Sequence, residues 1–275
     1  MFPQLPAAEV IIDETPSSGQ FNMAMDAALL EMGMGRAESV IRIYEWSEPT
    51  VTLGYFQATS VAEKSPFSGI PGVRRLTGGG AILHDRELTY SCVVPASHPV
   101  RENASDLYVL VHQALIGLLQ QCGVSCFLRS EYDAVRTESA DSIGSPEARD
   151  STAEPFLCFL RTNPNDIVHS SGHKIVGSAQ RRRRGVTLQH GSILLAASSL
   201  EPSLPGISDL SPSFDVPRFR RELPGRIAES IASQWSVRSY SAAERALSEK
   251  MAGDVTGLCG FGRQDQPGWI EATIQ

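Results

Sequence analysis

The chain opens on an extended run over residues 9–13, a turn at Ser17, Ser18 and Gly19, and an apolar pattern that predicts an amphipathic helix over 22–32. Two stretches rich in β-branched and aromatic residues follow, VIRIYEW (40–46) and TVTLGYFQ (50–57). Only Ser47, Glu48 and Pro49 separate them, which predicts a hairpin-like pair of strands. Residues 81–95 predict a further strand, bent midway. Leu107, Val111, Leu115 and Leu118 share one face of a helix predicted over 105–121, with Gly123 as its stop, and that face is expected to cover a sheet. Residues 131–154 turn polar without a sustained period, which predicts a mobile surface loop inside one domain rather than a boundary. Residues 167–195 predict strands joined by turns at Ser171 and Gly172 and at Arg184 and Gly185. A Pro- and Ser-rich connector then leads to helices predicted over 216–235 and 242–251. No internal repeat is present.

At 275 residues, with 41% hydrophobic and 20% charged positions, the chain has the composition of one globular domain with a real core. That domain is expected to span 1–275, with a core over about 1–240 and a short helical C-terminal extension. The start lacks the basic and apolar regions of a signal peptide, and no run approaches the ~20 apolar residues of a bilayer span. A cytoplasmic protein without a membrane partner is the expectation. A net charge of −7 argues against nucleic acid as a partner. The five cysteines, Cys92, Cys122, Cys126, Cys158 and Cys259, form an odd set without CxxC spacing. Reduced thiols and no metal site are expected.

Candidate chemistry gathers in two stretches. The first is Arg74-Arg75-Leu76-Thr77-Gly78-Gly79-Gly80-Ala81, followed by His84. Three glycines in a row strip Cβ atoms from the backbone, so a ligand can lie against the main chain, although an isolated triple glycine is also a common turn between strands. The second is Gly172-His173-Lys174-Ile175-Val176-Gly177-Ser178-Ala179-Gln180, followed by His190-Gly191-Ser192. Gly177 and Ser178 leave room beside a cleft, where the Lys174 ammonium could attract an anion or polarise an acyl carbonyl. His84 and His190 could exchange a proton near neutral pH, but read more readily as hydrogen-bonded structural residues. The run Arg181, Arg182, Arg183 and Arg184 reads either as a solvated turn or as a local positive patch for an acidic partner protein.

Taken in order, FNMAMDAALL, TLGYFQ, RRLTGGGAILHD, HKIVGSAQ and LQHGSILL resemble the biotin and lipoate protein ligase catalytic domain, and within it the lipoate-protein ligase A and octanoyltransferase branch. The resemblance covers roughly the first 195 residues. It implies an α+β fold: a mixed main sheet, a smaller second sheet and flanking helices. It also implies that Arg75, Thr77, Gly78, Gly79, Gly80, His84, Gly177, Ser178 and His190 bind substrate and that Lys174 contacts the acyl carbonyl or an activated phosphate. Cys158, in Phe156-Leu157-Cys158-Phe159, looks like the nucleophile of the cysteine-dependent octanoyltransferases, and Glu87-Leu88-Thr89-Tyr90-Ser91 looks like that branch as well. Its apolar flanks work against a thiolate, so Lys174 must lie close. The implied activity moves an octanoyl group from acyl carrier protein to a lysine of a lipoyl domain, in 2-oxoacid dehydrogenases or the glycine cleavage H protein, with no cofactor. Three alternatives stay open: a lipoate ligase using ATP and magnesium, a transferase between two lipoyl domains, and a non-catalytic acyl-binding module.

Overall fold

The structure is a computed structural model that describes residues 5–63, 65–140 and 155–254. In chain order its elements are β1 (Ala7–Ile12), α1 (Gly19–Met32), β2 (Ser39–Tyr44), β3 (Thr50–Leu53), α2 (Thr59–Glu63), β4 (Gly72–Arg74), β5 (Ile82–His84), β6 (Glu87–Val94), α3 (Ala104–Gln121), β7 (Cys126–Leu128), α4 (Arg129–Ala140), β8 (Ile167–His169), β9 (Lys174–Arg183), β10 (Val186–Leu194), α5 (Ile207–Leu210), α6 (Val216–Ile231), β11 (Gln234–Val237) and α7 (Ala242–Asp254). Eight strands form a mixed main sheet in the order β11-β1-β2-β6-β10-β9-β8-β7, and β4-β3-β5 form a small second sheet. This is the α+β arrangement that the family resemblance implies.

Strand alternation sorts the main sheet into two apolar faces. Val10, Ile41, Leu88, Tyr90 and Ile193 point to the face covered by Leu107, Val111 and Leu115 of α3 and by Phe219, Leu223 and Ile227 of α6. Ile11, Val40, Val93, Val186 and Leu188 point the other way, onto Met25, Leu29 and Leu30 of α1. The α3 stripe therefore covers the sheet as its spacing predicts, with Asn103 accepting from Ser105 N as the cap. Helix α1 differs from expectation: it is buried on nearly every side rather than amphipathic, because α7 packs against it from outside.

Four further expectations are corrected. Residues 40–46 and 50–57 do not form a hairpin: β2 pairs with β1 and β6 in the main sheet, whereas β3 pairs with β4 and β5 in the small one. The stretch 81–95 breaks into two strands, β5 and β6, one in each sheet. Residues 131–140 are helical, within α4; residues 141–154 lie outside the described residues, as do 255–275 with Cys259. Helix α4 has no apolar period because local polar pairs support it, Arg129 with Asp133 and Arg136 with Tyr132, while Glu131 accepts from Leu128 N. Finally, the helix predicted over 216–235 ends at Ile231, and β11 then adds in parallel to β1. Cys92, Cys122 and Cys126 are buried thiols, and burial pushes Cys126 up to about 12. No described helix is long and apolar enough to cross a membrane.

One buried guanidinium ties the layers together. Arg42 on β2 is 0% exposed and donates to Asp13 Oδ2 (2.7 Å), Asn22 Oδ1 (2.7 Å), Asn22 O (3.1 Å), Asp26 Oδ1 (3.3 Å) and the Tyr240 hydroxyl (2.5 Å). Its plane also lies 3.8 Å from the Tyr44 ring centroid. The bonds reach the end of β1, two turns of α1 and the C-terminal segment at once. Arg42→Leu should cost about 3–5 kcal/mol, because it leaves buried carboxylates without their partner. Urea unfolding of the two proteins checks this, and a loss within the error of the extrapolation would show that the network contributes little.

Candidate active site

The two sheets meet where β3 and β4 run out. Arg75 N donates to Leu53 O and Tyr55 N to Thr77 O, so the chain beyond β4 turns back over the end of β3. The approach is so close that a Cβ on Gly54 would stand 2.0 Å from Gly79 O. Arg74 holds the facing loop, donating to the carbonyls of Gly54, Tyr55 and Gln57. Gly79 has φ +95°, a conformation that favours glycine, and Gly80 is pressed by Arg161 Nε 2.7 Å from where its Cβ would be. Gly79 is thus required by its conformation, Gly80 is crowded mainly by a movable arginine side chain, and Gly78 opens onto unfilled space.

The glycine segment borders a cavity of about 330 Å³ between the sheets. Met23, Tyr44, Trp46 and Ile82 supply apolar lining, and Cys158, Lys174, Tyr108 and Asp166 supply the chemistry. Ala81 N donates to Phe156 O (3.0 Å) and Cys158 N to Ala81 O (2.7 Å), a parallel bridge that fixes the cysteine backbone to the exit of the glycine loop. Cys158 Sγ lies 3.8 Å from the Cβ position of Gly79 and 3.9 Å from Lys174 Nζ. The proximity that the apolar flanks of Cys158 demand is therefore present. Lys174 is buried and anchored: its ammonium reaches Asp166 Oδ1 at 2.9 Å and Cys158 O at 3.2 Å, and sits 5.2 Å from the Phe159 ring centroid. Gly177 makes room for this lysine rather than for substrate, since a Cβ there would meet Lys174 Cε at 2.6 Å.

Both histidines are held at both ring nitrogens. His84 Nδ1–H donates to Glu87 Oε1 (2.7 Å), which leaves Nε2 to accept from Thr52 Oγ1 (2.8 Å), and the ring stacks on Trp46 at 3.8 Å. His190 Nδ1–H donates to Asp26 Oδ2 (3.0 Å), and its Nε2 accepts from Thr77 Oγ1 (2.6 Å). Each threonine oxygen in turn accepts from Arg75: Thr77 Oγ1 from Nε and Thr52 Oγ1 from Nη1, both at 3.2 Å. Two arms, carboxylate to histidine to threonine, therefore converge on one guanidinium. Burial pulls His84 down, so the neutral ring that this bonding requires is the favoured one. Burial alone would raise Asp26 and Glu87. The hydrogen bond from His190 and the charge of Arg42 at Asp26, and His84 at Glu87, outweigh it and hold both carboxylates below their ordinary range.

Cys158, Lys174, Arg75, Gly78, Gly79, Gly80, His84, Gly177, Ser178 and His190 all line the cavity. Thr77 stands behind it, between His190 and Arg75. Ser178 is half-buried and passes its hydroxyl hydrogen to His112 Nε2 (2.7 Å), while accepting from Tyr90 (2.7 Å). His112 Nδ1–H donates to Asn165 O (2.5 Å), bracing the loop that carries Asp166, and burial pushes His112 down to about 4. The four arginines of the run lie in different surroundings. Arg183 pairs with Glu31 at 2.8 Å, Arg184 occupies a turn at φ +47°, Arg181 lies 4.7 Å from the Tyr55 ring centroid, and Arg182 is exposed. Among the described residues, no group of three or more His, Cys, Asp or Glu could hold a metal.

Asp166, Tyr108, His112, Thr52 and Asp26 were not singled out from the sequence. Only Asp26 carries a signal there: with Asn22 it forms an i, i+4 polar pair in an otherwise apolar helix. The others are brought in by long-range contacts.

Residues 18–202 match the family model described as the lipoyl protein ligase A/B catalytic domain. An octanoyltransferase LipM from Staphylococcus epidermidis is 36% identical over 222 residues, 78% of this chain and 72% of the relative. One from Staphylococcus aureus is 39% identical over 63% of this chain and 61% of the relative. The chain thus spans roughly two thirds of the length of these relatives. Among solved structures, a putative lipoate protein ligase from T. acidophilum with bound lipoic acid superposes with TM-score 0.62 at 20% identity, covering 89% of this chain and 94% of that one. A bi-partite lipoate protein ligase from Thermoplasma acidophilum gives 0.67 at 17%, covering 95% and 98%. These two show the fold.

Gly54→Ala should cut turnover by about a hundredfold, since relieving a 2.0 Å approach displaces the glycine loop by the order of an ångström. Steady-state rates on the folded variant check it; near-normal rates would mean that the loop position is not critical. The lowered carboxylates predict acid sensitivity. Their folded values lie below the unfolded ones, so the stability they add is complete above about pH 5 and is lost as pH falls through the folded values. Glu87→Gln should flatten the fall of Tm below that pH, and an unchanged slope would remove Glu87 from acid unfolding.

Proposed function

Because the chain belongs to the lipoyl protein ligase A/B catalytic-domain family, we propose that it is an octanoyltransferase that works through a Cys158 thioester. The observation that carries this reading is the position of Cys158: its sulfur faces the cavity between Gly79 and the Lys174 ammonium, while its backbone is pinned to the glycine loop. A cysteine with only a packing role has no need of that placement.

In the first step the sulfur forms a bond to the thioester carbonyl carbon of octanoyl acyl carrier protein. The thiol proton leaves, the donor C–S bond breaks, and the departing sulfur takes up a proton. In the second step the ε-amine of a lipoyl-domain lysine attacks the acyl-enzyme. It loses a proton, the amide forms, and the Cys158 thiol is restored. Lys174, held by Asp166, presents its ammonium where negative charge develops on the acyl oxygen. The octanoyl tail lies against Met23, Tyr44 and Trp46. The reaction in this form uses no nucleotide or metal. The acceptor domains would be those of 2-oxoacid dehydrogenases or the glycine cleavage H protein. Docking of these acidic proteins falls to Arg181, Arg182, Arg183 and Arg184, of which Arg183 would exchange its pairing with Glu31 for a partner carboxylate.

Mixing the enzyme with octanoyl acyl carrier protein and no acceptor should add one octanoyl mass to the Cys158 peptide, labile to hydroxylamine and discharged by a lipoyl domain. Cys158→Ala should abolish both steps, and alanine at Cys92, Cys122 or Cys126 should leave the adduct intact. Full transfer by Cys158→Ala, or transfer only with lipoate, ATP and magnesium, would replace this reading with the adenylating ligase. Charging only from an octanoylated lipoyl domain would make it a domain-to-domain transferase, and binding without any transfer would leave an acyl-binding module.

A further inference from the structure

Two buried cations flank the Cys158 sulfur, and their charges are treated differently. The Lys174 ammonium is matched in place by Asp166 at 2.9 Å. Arg75 is 2% exposed and has no such partner: its five N–H groups go to Thr77 Oγ1, Thr52 O, Thr52 Oγ1, Gly78 O and Gly80 O. All five acceptors are neutral oxygens, and Asp26 and Glu87 act only through an intervening histidine and threonine. A donor set fully used inside the protein leaves Arg75 no hydrogen bond for a substrate. A buried charge without a counter-ion is costly, so its retention calls for an anion nearby during function.

The candidate anion is close. One point beside Gly79, where a Cβ would stand, lies 3.0 Å from Arg75 Nη2 and 3.8 Å from Cys158 Sγ. Because residue 79 is glycine, it puts no side chain of its own between the guanidinium and the sulfur. Among the described residues, the other charged and titratable groups lining the cavity are Lys174 with Asp166, Arg161, whose Nε donates to Pro155 O, Tyr108 on α3, Tyr44, His84 and His190. Arg75 and Cys158 also feel one another: burial pulls the guanidinium down to about 10, and the charge on Cys158 acts in the opposite sense.

We propose that Arg75 is a second cation, beside Lys174, that stabilises negative charge on the Cys158 sulfur, acting across the gap at Gly79, and that the Asp26-His190-Thr77 and Glu87-His84-Thr52 arms hold it in that orientation. This deepens the thioester reading and rests on it. His84 and His190 are then positioning residues, which act on the reaction through the guanidinium. Lys174 reaches both the acyl oxygen and the sulfur, at 3.9 Å, whereas Arg75 serves the sulfur alone.

Alkylation of Cys158 at one fixed pH tests this without any acyl donor: the sulfur displaces iodide from iodoacetamide or iodoacetate, and the thiol proton goes to solvent. In Arg75→Gln the rate constant with iodoacetamide, followed on the Cys158 peptide, should fall on the order of tenfold or more. The Thr52→Val/Thr77→Val double variant, which keeps every charge, should fall by less. Single-turnover acylation should fall in parallel while KM for the octanoyl donor stays within about threefold, a split that general loosening of the cavity would not give. In the unsubstituted protein Cys158 should favour iodoacetate over iodoacetamide more than free cysteine does. Unchanged alkylation in folded Arg75→Gln overturns the proposal. Should that variant not fold, unchanged alkylation in the double variant, or no preference for iodoacetate, overturns it equally. Alkylation that follows these expectations in a protein that never accepts octanoyl would instead count against the thioester reading.

Discussion

A guanidinium buried at a loop must find an acceptor for every N–H, and Arg75 meets that demand in a way that shapes everything around it. Two of its bonds go to the carbonyls of Gly78 and Gly80, which curls the glycine segment about its tip. Two more go to Thr52 on β3, which joins the loop to the small sheet. The last goes to Thr77 and, through it, to His190 on the main sheet. The small sheet, the loop and the main sheet thus share one centre. From that centre the loop runs directly to Ala81, whose backbone pairing positions Cys158.

The same network links chemistry to stability. Asp26 accepts from His190 on the side of the active site and from Arg42, Tyr44 and Ser91 on the side of the core. A carboxylate with that many donors stays ionised despite full burial, and it fixes the His190 tautomer that the arm requires. Glu87 does likewise for His84, accepting also from Thr89 and Ser192. Both histidines are therefore fixed in orientation, each bonded at both ring nitrogens. Lys174 follows the same logic on the opposite wall, where His112 braces the loop carrying Asp166.

Much of this could be read along the chain, because some signals are local. The α3 stripe of Leu107, Val111, Leu115 and Leu118, the strands over 167–195 with their turns, and the ordered motifs around the triple glycine and Lys174 each depend on neighbours a few residues apart. They located the cavity walls and singled out Lys174, while Cys158 came from its place in the family pattern. What the chain could not show was partnership. Nothing in VIRIYEW and TVTLGYFQ says that consecutive strands enter different sheets, since pairing is decided by where β6 and β4 lie. A polar helix such as α4 has no apolar period to read, and β11 is a strand only because β1 offers its edge.

The sequence by itself determined the residue types: glycines where φ or close approach excludes a Cβ, a cysteine and a lysine sixteen positions apart, and alternation that builds two apolar faces. Tertiary structure decided which charges meet. Asp166 neutralises Lys174, Arg183 is taken by Glu31, and Arg75 is left among neutral oxygens beside the sulfur. Electrostatic roles follow distance and burial, and those are set by contacts between segments far apart in the chain, so no spacing along the sequence encodes them.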